Sequence, residues 1–135
     1  MTTDLVLAEV QQENQWNEVS PYVESESLLK YSISDELLGK LMADPLQRRV
    51  GPADASALYV AREFDGILMT GDRQLRKQGE LHKVEVHGVL WALDWFVEKN
   101  ILKPVQAGKK LTEIQAKGAL LPPTECKKRL KKWRS

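Results

Sequence analysis

One cysteine, two histidines and no long apolar run are what this 135-residue chain has least of, and each scarcity excludes something. With Cys126 alone there is no intrachain disulfide framework, and no Cys or His partner stands near it at zinc-ligand spacing. Cys126 therefore reads as inert. His82 and His87 fall on different elements and have no Ser or Cys arranged beside them as a nucleophile, so neither a metal role nor a triad is expected of them. No stretch approaches the roughly 20 apolar residues needed to span a bilayer. The opening MTTDLVLAEV lacks the basic region and long apolar segment of a signal peptide, so the expected compartment is the cytoplasm, with no membrane partner. Net charge is also nearly absent, at +1, but the sum hides a division. Residues 1–65 hold 5 Lys or Arg against 12 Asp or Glu, and residues 66–135 hold 15 against 7. That division suits a second half that meets a polyanion, or opposite ends that pair within an oligomer.

What is present is an ordinary globular composition, 42% hydrophobic and 29% charged, with room for one real core. The segment TTDLVLAEVQQENQW reads as a helix capped by Thr3 or Asp4, with Leu5, Val6, Glu9 and Val10 near one face. Glu9 is then either the polar border of a buried stripe or a carboxylate aimed at something specific. Pro21 breaks this helix, residues 28–33 form a short strand, and a second helix starts at the Ser34 cap and stops at Asp44 and Pro45.

The most informative stretch is GPADASALYVAREFDGILMTGDRQLRK, residues 51–77: a helix over 53–64, a buried strand at Ile67, Leu68 and Met69, and a short basic helix. The continuous apolar run predicts a strand covered on both sides. A helix leading into a parallel strand runs antiparallel to it, which brings Asp54, at the helix start, to the sheet edge where Asp72 leaves the strand. Two acids held together there repel unless a cation neutralises them, so they read as a divalent metal site. The competing reading is an N-cap and a turn residue, places where Asp is also favoured. Thr70 sets a hydroxyl two residues before Asp72. Residues 84–87 read as a further strand. The helix GVLWALDWFVEKN is apolar on nearly every side and is expected at a subunit contact, with Asp94 paired at its surface. Pro122, Pro123 and Thr124 open a last helix with six basic residues between Lys127 and Arg134, either a docked helix with a solvated face or a contact for RNA, DNA or an acidic partner.

From about Asp4 to Lys103 the chain resembles a PIN domain, the nuclease fold of many prokaryotic toxins, most closely at DASALYVAREFDGILMTGDRQLRK. The LPPTECKKRLKKW ending resembles a poorly characterised branch of that family. The resemblance implies a three-layer α/β/α fold with a short parallel sheet, a PIN-like domain over 1–103 and a helical extension with a basic tail over 104–135. It implies an Mg2+- or Mn2+-dependent ribonuclease that hydrolyses RNA phosphodiesters, with Glu9, Asp54 and Asp72 as metal ligands and Thr70 orienting a ligand or a water. Arg73, Arg76 and Lys77 would contact the nucleic-acid backbone. An antitoxin protein and a homodimer are the implied protein partners. The chain departs from the family pattern at its start: the expected first strand and its aspartate are missing, and Asp4 is a poor substitute. Truncation, loss of the strand, or a strand supplied by another chain would each account for this. A catalytically inactive PIN-like scaffold that dimerises and binds nucleic acid or protein is the alternative.

Overall fold

The computed structural model describes residues 1–134, and the chain opens on a strand. Strand β1 (Thr2–Thr3) pairs in parallel with β2 (Lys30–Tyr31), Thr2 beside Lys30 and Thr3 beside Tyr31. Between them lie α1 (Asp4–Leu7) and α2 (Glu13–Glu24). Thr3 caps α1 as expected, its hydroxyl accepting from the Val6 N–H at 3.1 Å. The single long helix expected here is instead two, separated by residues 8–12, and Glu9 lies in the turn after α1 rather than on a helical stripe. Pro21 does not break α2 but sits inside it. None of the residues of α2 is buried, so water can satisfy the carbonyl that a proline leaves without its N–H.

Next come α3 (Asp35–Ala43), with the Ser34 hydroxyl accepting from Leu37 N–H, and a short α4 (Leu46–Val50) that the sequence did not suggest. Helix α5 (Pro52–Glu63) starts from Gly51 at φ 85° with proline in its first turn. It leads into β3 (Ile67–Met69), then α6 (Arg73–Leu81) and β4 (Glu85–His87), which is hydrogen-bonded to β3. Both helix-to-strand turns are built alike. Asp65 (φ 50°) and Lys83 (φ 60°) take the left-handed position, while Gly66 N–H donates to Ala61 C=O at 2.8 Å and Val84 N–H to Gly79 C=O at 2.9 Å. These are Schellman closures made without glycine at the strained position.

The whole is mixed α/β, mostly helical, with short parallel sheets. It divides into two compact units, residues 1–86 and 87–135. The first has its core where α5 and α6 meet the β3–β4 sheet, around Leu58, Leu68, Leu75 and Val86. Gly79 is required there, because a Cβ on it would stand 2.6 Å from Val86 Cγ2. The expectation that β3 is covered on both sides is corrected: Leu68 is buried, but Ile67 and Met69 are 43% and 48% exposed, since the helices cover only one face.

The second unit consists of α7 (Val89–Glu98), α8 (Pro104–Ala116) and α9 (Pro123–Lys132), packed on Leu93, Ala107, Leu111, Cys126 and Trp133. Asp94 is paired, as expected: both its oxygens accept from Arg129, the shortest contact being 2.7 Å. Cys126 is buried and free. Among the described residues no helix is long and apolar enough to cross a membrane.

Candidate functional site

Three stretches far apart in sequence supply the acidic residues, and the local geometry of each sets what its carboxylate can do. Asp54 lies in the first turn of α5, half-buried. Its carboxyl pKa is raised, first by burial, then by the negative charge of Glu9, then by that of Asp72. Asp54 therefore lies within electrostatic reach of both Glu9 and Asp72. Neither Asp54 nor Glu9 has a hydrogen bond or ion pair to its side chain among the described residues. A half-buried acid beside two others with no cation at hand is an unfavourable arrangement for folding alone.

Asp72 is exposed and partly committed. One carboxylate oxygen caps α6, accepting from Leu75 N–H at 2.8 Å, which leaves the other oxygen for a ligand. A helix cap and a ligand are compatible roles for it, because a carboxylate has more lone pairs than a cap consumes. The Thr70 hydroxyl accepts from Asp72 N–H at 3.1 Å. Its effect in the structure is to fix the backbone that presents Asp72. Asp4 is not part of the group: its Oδ1 accepts from the N–H groups of Leu5 and Ile33 and ties α1 to the chain after β2. Arg73 and Lys77 are exposed and Arg76 is half-buried on the first turns of α6. None of the three forms an ion pair among the described residues.

Thr3, expected only as a helix cap, and Ser56, which the sequence did not point to, tie together the elements that carry these acids. Thr3 and Ser56 are buried and their hydroxyls are 2.7 Å apart. Ser56 gives its proton to Ala53 C=O at 2.6 Å, so the bridging proton must come from Thr3, which in turn accepts from Val6 N–H. This one-way chain fastens the element that leads to Glu9 onto the turn of helix that carries Asp54. The available signal was a serine set between Ala55 and Ala57 ahead of Leu58.

A slot of about 340 Å3 lies alongside, lined by β1, β3 and one side of α5, with Asp54 and Thr70 among its residues.

A PIN-domain family model, DUF3368, matches residues 1–135. The chain belongs to the PIN-domain family. The match runs through both compact units, so the PIN-family assignment includes α8, α9 and the basic tail. No curated protein and no solved structure matches the chain. PIN domains typically use divalent metals. The donor set fits such an ion in kind, since Glu9, Asp54 and Asp72 offer only hard oxygen atoms and an excess of negative charge. It does not yet fit in spacing: among the described residues no three His, Cys, Asp or Glu side chains stand close enough to hold a metal ion together.

Proposed function

We propose that this PIN domain is an Mg2+- or Mn2+-dependent ribonuclease that hydrolyses RNA phosphodiesters in the cytoplasm, as the toxin of a toxin–antitoxin pair. The observation that supports the reading is the half-buried Asp54 carboxyl, whose pKa is raised first by burial and then by the charges of Glu9 and Asp72, with no counter-charge bonded to it. Folding does not gain from an acid half-buried within reach of two others. A bound cation does.

Glu9, Asp54 and Asp72 would hold the ion. When bound, such an ion acidifies a coordinated water and neutralises charge on the scissile phosphate. The chain's own residues do the rest. Thr70 fixes the Asp72 backbone, and Thr3 and Ser56 hold the Glu9 and Asp54 elements in register. Arg73, Arg76 and Lys77 supply cations next to the acids for the phosphate backbone, positioning RNA without reading its sequence. The basic helical extension over residues 104–135 adds long-range attraction for the polyanion. An antitoxin would act by covering the acidic group.

One observation favours a second reading, a PIN-like scaffold that binds RNA or protein without cleaving: the carboxylates as placed are not close enough for coordination. Calorimetric titration of Mn2+ into the protein and into Asp72→Asn separates the two. Asn caps a helix about as well as Asp, so the variant keeps α6 and loses only the charge. Binding by the wild type that the variant lacks, together with Mn2+-dependent RNA cleavage, is the expected result. A folded wild type that takes up no Mn2+ leaves the scaffold reading in place.

A further inference from the structure

Helix α7 spends only one of its two apolar sides on the core of its own unit. Leu93 is buried there, and Leu90, Phe96 and Val97 pack with it. Trp91 and Trp95 stand two residues to either side of Leu93, which at roughly 100° per residue turns both almost directly away from that core. Trp91 is half-buried and Trp95 is 38% exposed. Their rings are not splayed. The planes of Trp91 and Trp95 lie within 24° of each other with centroids 6.5 Å apart, and the His87 ring lies against Trp91 at 4.1 Å, 7° from parallel. Phe96 meets Trp95 edge-on, 71° from its plane at 5.8 Å, and so fixes that ring from the side. Three rings in sequence thus face nearly the same way.

What flanks the rings narrows what can meet them. The next position in the same four-residue series is Lys99, the C-cap of α7, which is exposed and forms no ion pair among the described residues. Asp94, to one side, accepts from Arg129 with both oxygens, which balances its charge. Residues 87–135 as a whole carry 11 Lys or Arg against 4 Asp or Glu. A docked protein surface needs a continuous apolar patch, whereas the two indoles here are bordered by Ala92, Asp94, Glu98 and Lys99. Near-parallel rings beside an unpaired cation, in a basic unit, match a ligand built as planar rings on an anionic backbone. Bases in a duplex stack on one another and withhold their faces. Those of a single strand offer them.

We propose that α7 is a stacking platform on which unpaired RNA bases lie against Trp91 and Trp95, with Lys99 on the adjoining phosphate. The choice of RNA rests on the ribonuclease reading, but the platform needs neither metal nor cleavage, so EDTA is present in the test. Anisotropy of a short fluorescein-labelled oligoadenylate should show binding by the wild type, weakened about tenfold by Trp95→Ala, the scale of one lost stacked base, and largely restored in Trp95→Phe. Trp16→Ala removes an equally exposed tryptophan from the first unit and should bind as the wild type does. An abasic strand of the same length keeps the phosphates, so it should bind more weakly and be indifferent to Trp95→Ala. Equal binding by the wild type and Trp95→Ala overturns the proposal, and so does an abasic strand that binds as tightly as oligoadenylate. A Trp95→Ala variant whose mass by light scattering falls from two chains to one overturns it in favour of a contact between copies. Ring-dependent binding by a protein that never cleaves would uphold the platform while the nuclease reading fails; Mn2+-dependent cleavage with ring-independent binding would do the reverse.

Discussion

Replacing Ser56 by alanine should destabilise the first unit by about 1–2 kcal/mol, and the reason lies in the direction of the hydroxyl chain. In the wild type each proton has a place: Val6 N–H to Thr3, Thr3 to Ser56, Ser56 to Ala53 C=O. Removing the serine hydroxyl strands the Thr3 proton at a residue only 1% exposed. A stranded buried donor costs roughly 1–3 kcal/mol, and alanine's better helix propensity returns at most about 0.5 kcal/mol. Thr3→Val removes the same donor along with the α1 cap, which costs about 1 kcal/mol, while Ser56 keeps its bond to Ala53. The double variant should therefore be little worse than Thr3→Val alone, giving a coupling of about 1 kcal/mol in a double-mutant cycle. Urea melts followed by circular dichroism measure all four proteins. Additivity within about 0.5 kcal/mol would refute the one-way chain. Because the chain ties the Glu9 element to Asp54, Ser56→Ala should also weaken Mn2+ binding by more than it perturbs the helix content.

Asp54→Asn should raise the melting temperature at neutral pH and flatten its pH dependence. The folded Asp54 carboxyl holds its proton to a higher pH than the unfolded one, so wild-type stability falls as pH rises through the carboxylate range up to the folded value, and the variant escapes that fall. Parallel melting curves against pH for the two proteins would contradict it, and saturating Mn2+ should narrow the gap between them. Gly79→Ala, which on a surface helix would stabilise by up to about 1 kcal/mol, should here destabilise by about 1–3 kcal/mol, because Val86 lies 2.6 Å from the new methyl and its branched side chain cannot swing away. A thermal melt that rises in this variant would show that α6 and β4 can separate more readily than their packing implies.

Much of the fold was legible because it is written in short-range chemistry. Ser34 is an N-cap in sequence and in structure, the helix expected over 53–64 is α5, and Pro122 and Pro123 open α9, whereas the cap of α6 is Asp72, expected as a turn residue, and the cap of α5 is Gly51 rather than Asp54. The element order around Asp54 and Asp72 followed from periodicity for the same reason. Legibility failed where solvent or distant packing decides. Pro21 stays in α2 because that helix is exposed, and nothing local ends α1 after Leu7. The turn at Asp65 is announced by Gly66 beside it, but the left-handed turn at Lys83 carries no such signal; the strand it must feed at once into the core sets its conformation. The apolar run of β3 predicted two covered faces, but how many faces of a strand are covered depends on what the rest of the chain packs against it.

By itself the sequence determined which acids could matter, Glu9, Asp54 and Asp72, and the PIN-type context of helix, strand and T-G-D turn that presents two of them. Only the tertiary structure decided that the half-buried Asp54 lies within reach of the charges of Glu9 and Asp72, and that Thr3 and Ser56 lock β1 onto α5. Caps, turns and periodicity are properties of a few neighbouring residues. Electrostatic coupling and a buried hydroxyl bridge arise between residues the chain separates widely, and come into being only when α5 packs against both β1 and β3.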